Sequence, residues 1–249
     1  AGFEKFLAIK RILPHLSRDT EFVVMLIDEA KIAVTLNHAN VVQVYDLGKV
    51  EGIYFIAMEF VEGADLKAVL LKALQGGQPI PPALAVFLIM EVLKGLEYAH
   101  QKKVLSKDTH FALQIIHRDS SPPNILLSYE GEVKIVDFGI AKANTRMMET
   151  AAGVLKGKFE YMSPEQAAGL ELDQRTDIFS AGLCLFEAMT GVNPFSASAD
   201  LQVIQKVRAA RFPPASSLNS QIPPRLDLVI NKALAREKGD RYSSANEFR

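Results

Sequence analysis

The segment Ile116-His117-Arg118-Asp119-Ser120-Ser121-Pro122-Pro123-Asn124, followed by Val136-Asp137-Phe138-Gly139, constrains this chain more than any other stretch. An Asp and an Asn stand five residues apart, and a second Asp precedes a Phe-Gly. One carboxylate can accept a proton from an incoming alcohol. The amide oxygen and the other carboxylate are hard oxygen ligands of the kind Mg²⁺ takes beside substrate phosphates. The intervening residues run Asn124-Ile125-Leu126-Leu127-Ser128, a Glu130-Gly131 turn, then Val133-Lys134-Ile135-Val136. That pattern predicts a hairpin delivering Asp137 to the end of a strand.

The chain has 249 residues, 49% of them hydrophobic, enough for a sizeable core in one large domain or two small ones. A net charge of −1 argues against a nucleic-acid or anionic-membrane surface spread over the whole protein. The single cysteine, Cys184, excludes an intrachain disulfide; inside Ala181-Gly182-Leu183-Cys184-Leu185-Phe186 it is expected to be a small buried hydrophobe. A reducing, cytoplasmic setting fits. The longest apolar run, Ala83 to Met90, ends at Glu91 and is too short to span a membrane. No signal peptide is expected. The opening inside a strand region and the stop after Phe248-Arg249 lead to the expectation of a fragment, with anchors or regulatory parts elsewhere.

In chain order, Phe6 to Leu13 is a strand candidate closed by Pro14. Lys10 within it is either an edge-strand solubiliser or a phosphate-binding charge. Thr20 to Leu36 has helical spacing, with Asp19 or Thr20 as N-cap. Glu29 falls on the apolar stripe, where a carboxylate wants a cation; Asp28 lies one residue off it. Val41 to Leu47 and Ile53 to Phe60 complete a small antiparallel sheet, and Val61-Glu62-Gly63-Ala64-Asp65 breaks the pattern. Helices are expected over 65–74, from Pro81-Pro82 to about His100, from Thr176 to Thr190, over 198–209 and over 224–235. Gln101 to Gln114 is polar and aperiodic, and is expected to be a surface insertion with a solvated His110.

The two opening motifs, together and in that order, resemble the catalytic loop and metal-binding Asp-Phe-Gly of protein kinases, and Ala8-Ile9-Lys10 resembles the family's strand lysine. The wording Tyr161-Met162-Ser163-Pro164-Glu165-Gln166 is similar to that of eukaryotic-like Ser/Thr kinases of bacteria. The resemblance implies an α+β, two-lobed fold. A truncated N-lobe with a small antiparallel sheet covers 1–62, and a larger helical C-lobe with the catalytic loop and activation segment covers 63–249. It implies ATP and Mg²⁺ as cofactors, a protein substrate, a role in signalling, and no nucleic-acid partner. Residue by residue, Asp119 is the general base or hydroxyl orienter, Asn124 and Asp137 hold Mg²⁺, and Lys10 paired with Glu29 holds the α- and β-phosphates. The backbone of Glu59 and Val61 meets adenine, with Ala8 and Leu126 beside it and Met58 at the back, while Asp65 reaches the ribose. His117 is a packed core residue, and Arg118 marks possible control by loop phosphorylation. Glu165 pairs with Arg241, and Asp177 accepts backbone hydrogen bonds from the catalytic loop.

The sequence departs from the family pattern in three places. Ser121 stands where most Ser/Thr kinases carry a Lys, and Lys158 stands where they carry a Thr. An exchange is expected in which Lys158 supplies the charge near the phosphoryl group and Ser121 the hydroxyl; the alternative is a solvated Lys158 and a weakened site. Only Gly2 precedes Lys10, so the Gly-rich phosphate loop is missing and weak ATP binding is expected of this fragment alone. Thr150, then Thr145, are the phosphosite candidates in the segment from Gly139 to Pro164; otherwise they are incidental loop threonines. Pro122 favours the Ser/Thr over the tyrosine branch. A pseudokinase scaffold or a small-molecule kinase are the rival readings.

Overall fold

The computed structural model describes residues 4–102, 104–106, 109–113, 115–138 and 159–249, and gives the backbone alone for Glu29 and for residues 104–106 and 109–113. The smaller part is a three-stranded antiparallel sheet in the order β1-β3-β2, from β1 (Leu7–Arg11), β2 (Val44–Val50) and β3 (Ile53–Glu59). Glu51 (φ 50) and Gly52 (φ 82) make the two-residue turn between β2 and β3, which needs positive φ at both positions. Helix α1 (Thr20–Val34) packs on this sheet. Asp19 caps it, accepting from Phe22 N at 3.0 Å, a contact worth about 1 kcal/mol. Phe22, Leu26, Ile12, Val42, Ile56 and Met58 form the apolar centre of this part.

The larger part is helical, with α2 (Leu66–Gln75), α3 (Pro82–Gln101), α4 (Pro164–Ala167), α5 (Arg175–Thr190), α6 (Asp200–Ala209), α7 (Ala215–Leu218), α8 (Pro224–Ala233) and α9 (Ala245–Phe248). Thirteen of the sixteen residues of α5 are buried, so this helix is the axis of the core rather than one wall of it. It packs against α3 and α8. At Gly182 an added Cβ would stand 2.8 Å from Ala233 Cβ, which is why the approach to α8 needs glycine. Strands β4 (Gly63–Asp65), β7 (Ile125–Ser128) and β8 (Val133–Ile135) form a second sheet in the order β4-β7-β8. The hairpin expected from sequence is present, with Ile125 opposite Ile135 and Gly131 at φ 89. Among the described residues no helix is long and apolar enough to cross a membrane.

Three expectations change. The stretch from Val61 to Asp65 is not merely a break in pattern: Gly63–Asp65 pairs with β7, and a Cβ on Gly63 would fall 1.9 Å from Leu127 O. Val41 and Val42 do not join the first sheet. Val41 bridges Ile135, and Val42 N donates to Ile135 O at 2.9 Å. Asn40 explains this. Its Nδ2 donates to Val133 O at 2.9 Å and Glu91 Oε2 at 3.0 Å, tying the segment to the helical part, so backbone pairing with β3 begins only at Gln43, whose O accepts from Glu59 N at 2.8 Å. Finally, the stretch read as aperiodic holds two strands, β5 (Val104–Ser106) and β6 (Thr109–Leu113), which pair antiparallel. The runs are too short, and too interrupted by Lys and Asp, for alternation to be legible.

Candidate active site

The catalytic loop is built from beneath. Asp177, in the first turn of α5, is fully buried. Its Oδ1 accepts from Arg118 N at 2.7 Å, and its Oδ2 accepts from His117 N at 2.8 Å and from His100 Nε2 at 2.7 Å. Burial pushes this carboxyl up, but the His100 hydrogen bond and the surrounding His117 contacts outweigh it and hold it below the usual carboxylate range. His117 is likewise buried and used on every side. Its Nδ1 accepts from Asp119 N at 3.2 Å, so its Nε2 carries the proton and donates to Val136 O at 3.0 Å. Phe138 meets its ring edge-on at 4.6 Å. Asp177 and His117 thus do what the resemblance implied. Cys184 is buried as expected, and its thiol also donates to Ser120 O at 3.2 Å.

Two backbone positions are strained. Arg118 (φ 69) and Asp137 (φ 67) occupy the left-handed region, at about 1–2 kcal/mol each for a residue with a side chain. Such conformations persist where neighbours over-determine them. One precedes Asp119 and the other is Asp137 itself, both candidate site residues. Asp119 follows Arg118; its Oδ1 accepts from Ser121 Oγ at 2.8 Å, and its carbonyl accepts from Asn124 Nδ2 at 2.8 Å. Asn124 O in turn accepts from Val136 N at 3.0 Å, which joins this loop to the strand before Asp137. Lys10, from β1, donates to Asp137 Oδ2 across the cleft.

The residues expected around the adenine are brought together. Ala8 lies opposite Met58 in the β1–β3 pair, and Asp65 lies opposite Leu126 in the β4–β7 pair. Ala8, Met58, Val61, Leu126 and Val136 share one apolar cluster. Met58 also lines a cavity of about 20 Å³ that reaches back between α1 and Phe138. Asp65 Oδ1 caps α2 through Ala68 N at 2.8 Å. The Glu59 carboxylate turns away from the cluster: it accepts from Gln43 N at 3.1 Å and meets the buried Lys134 Nζ at 2.8 Å. The expected Lys10–Glu29 pair involves a side chain outside the described ones. Lys158, Thr145 and Thr150 also lie outside the described residues.

Below the loop, Ser163 and Gln166 close a capping box on α4. Glu165 receives Arg241 at 2.7 and 2.8 Å, as implied by the resemblance, and also Thr176 Oγ1 at 2.8 Å. Burial raises its carboxyl, but Arg241 overrides this and keeps it low. Sequence reasoning missed Lys134, Asn40 and Gln166. Only Gln166 had a local signal, the Ser-x-x-Gln spacing of a capping box.

Set against known proteins, the chain matches the family model described as protein kinase domain over residues 2–248. It is 41% identical to the tyrosine-protein kinase MasK of Myxococcus xanthus, over 99% of this chain and 38% of that one. It is 34% identical to the serine/threonine-protein kinase PrkC of Bacillus subtilis, over 98% of this chain and 36% of that one. To the serine/threonine-protein kinase PknB of Mycobacterium leprae it is 37% identical, over 97% and 37%. The solved PknI kinase domain of Mycobacterium tuberculosis superposes with a TM-score of 0.74 at 26% identity, over 99% of this chain and 84% of that one. The chain spans less than two-fifths of the length of these three curated relatives.

Proposed function

This chain belongs to the protein kinase domain family, and from that premise we propose that it transfers the γ-phosphoryl group of ATP to a hydroxyl of a protein substrate. The observation that carries the proposal is the meeting of Lys10 from the sheet part with Asp137 from the helical part, beside the Asp119–Asn124 hydrogen bond. The donor set suits a magnesium nucleotide. Asn124 commits its amide nitrogen to Asp119 O, which leaves the amide oxygen for a hard cation, and Asp137 adds a carboxylate. Among the described residues no three His, Cys, Asp or Glu side chains form a metal cage of their own. That suits a cation which arrives with phosphates and keeps them as ligands.

When bound, Mg·ATP supplies the transferable phosphoryl group and the charge that neutralises it. Lys10 holds the α- and β-phosphates. Asp119 orients the acceptor hydroxyl and takes its proton. Ser121, by donating to Asp119 Oδ1, fixes the rotation of that carboxylate. The cation that the family roots two residues after the catalytic Asp is absent, and we assign its role to Lys158. Val61 and Glu59 backbone groups, with Ala8, Met58 and Leu126, hold the adenine, and Asp65 the ribose.

The acceptor is proposed to be Ser or Thr. Pro122 and the names of PrkC and PknB support this; the name of MasK supports tyrosine. The test is transfer of labelled phosphate to a generic protein substrate, followed by phosphoamino-acid analysis. Expected are phosphoserine and phosphothreonine, with Asp119→Asn lowering kcat by about 10²–10⁴-fold at an unchanged melting temperature. Phosphotyrosine alone would move the acceptor to the second reading. No transfer by the parent, or full transfer by Asp119→Asn, would point instead to a binding scaffold.

A further inference from the structure

Gln166 has no part in the roles above, yet both ends of its side-chain amide are committed. Its Oε1 accepts from Ser163 N at 2.9 Å while Gln166 N donates to Ser163 Oγ at 3.3 Å, closing the capping box of α4. Its Nε2 reaches back 48 residues and donates to Arg118 O at 2.7 Å. That carbonyl belongs to the peptide joining Arg118 to Asp119. The N–H of the same peptide donates to His117 Nδ1 at 3.2 Å, and the N–H of the preceding peptide donates to Asp177 Oδ1 at 2.7 Å. The peptide planes on both sides of Arg118 are therefore held, one by Asp177 and the other by His117 and Gln166.

Arg118 needs that hold, because φ 69 is a region that residues with side chains leave when they can. A turn of the 118–119 plane would swing the Cα–Cβ direction of Asp119 and break its 2.8 Å contact with Ser121 Oγ. Near-attack geometry tolerates little of this. We propose that Gln166 is a positioning residue for Asp119: it locks the 118–119 peptide and makes the direction of the carboxylate depend on the capping box of α4. The inference rests on the protein-kinase reading of Asp119.

Two substitutions separate the two ends of the amide. Gln166→Glu keeps the capping box, since a Glu carboxylate accepts from Ser163 N equally well. It presents only acceptors to Arg118 O. Gln166→Ala removes both contacts. In Gln166→Glu the melting temperature is expected to fall by less than in Gln166→Ala and KM for Mg·ATP to stay within about twofold, while kcat falls about 10–100-fold. The Asp119 amide, the N–H of the locked peptide, is expected to exchange its hydrogen faster than in the parent. Gln166→Ala adds a further fall in melting temperature. An active parent whose Gln166→Glu variant keeps its kcat overturns the inference. If the parent transfers no phosphate, the kinase reading fails, and exchange at the Asp119 amide still decides: faster exchange in Gln166→Glu upholds the lock, unchanged exchange removes it.

Discussion

Two ion pairs in this molecule are made of similar charges and serve opposite ends. Arg241 and Glu165 lie in the helical part with almost no exposure, 0% and 3% for their side chains. The guanidinium makes a two-pronged contact, gives its remaining donors to the carbonyls of Ala235, Arg236 and Arg175, and lies 4.8 Å over the Phe179 ring. Thr176 completes the carboxylate. Lys10 and Asp137 face the cleft and are 37% and 24% exposed. Lys10 is a point charge on a flexible stem, against a carboxylate on a strained backbone. The first pair is finished and has nothing left to bind. The second is provisional, because each partner is assigned another ligand. A pair built to be exchanged must stay near water, where its net worth is about 0–1 kcal/mol.

The largest test of that contrast is Glu165→Ala, which leaves Arg241 buried without its carboxylate. The expected cost is about 3–5 kcal/mol of unfolding free energy, read by urea denaturation. At about 2–4 °C per kcal/mol the melting temperature should fall clearly. A cost below about 1 kcal/mol would make the two pairs equivalent and end the comparison.

Lys10→Met sharpens the other side. Stability should barely move, by less than about 1 kcal/mol. KM for Mg·ATP should rise about 10–100-fold, the worth of a charge-assisted hydrogen bond of about 1.5–3 kcal/mol. Equal losses of stability and nucleotide affinity would show that Lys10 is structural.

The same division governs what could be read from sequence. The cleft groups were legible because their chemistry is written in short spacings: Asp119 to Asn124, then Asp137 after a hairpin. The helix caps were legible in part, since Asp19 precedes an apolar period. What was lost lies in long-range polar contacts. Asn40 reaches Glu91 and Val133, Lys134 reaches Glu59, and Gln166 reaches Arg118. The residues around Lys134 do not say that a lysine between Val133 and Ile135 is buried, because its nearer counter-charge, Glu59 at 2.8 Å, comes from the other sheet, while the local Glu132 stands 3.8 Å away. Glu165 with Arg241 is equally long-range, and it was anticipated only because a family resemblance supplied the partner. The β5–β6 pairing was missed for a different reason: its strands are three and five residues long.

Protonation gives the smallest effect and divides the buried carboxylates by sign. Glu165 and Asp177 are held low by Arg241 and by His100, each against burial. Their stabilisation is present above the ordinary carboxylate pKa and is lost as pH falls through the lowered folded value. Glu187, at the far end of α5, goes the other way. Burial raises it first, Glu160 adds to that, and neither the Tyr161 hydroxyl at 2.6 Å nor Lys67 cancels the rise. Its contribution is therefore complete below the ordinary carboxylate pKa of 4.5 and is lost as pH rises through the raised folded value. Glu187→Gln keeps an oxygen for Tyr161 and removes the titration. Relative to the parent, its melting temperature should rise between pH 5 and pH 7.5. Glu165→Gln should show no such gain over that window, because Glu165 is already ionised throughout it. A difference from the parent that stays flat with pH in Glu187→Gln would mean that Glu187 ionises as freely as a surface carboxylate. The contrast would then belong to Arg241 alone and not to burial.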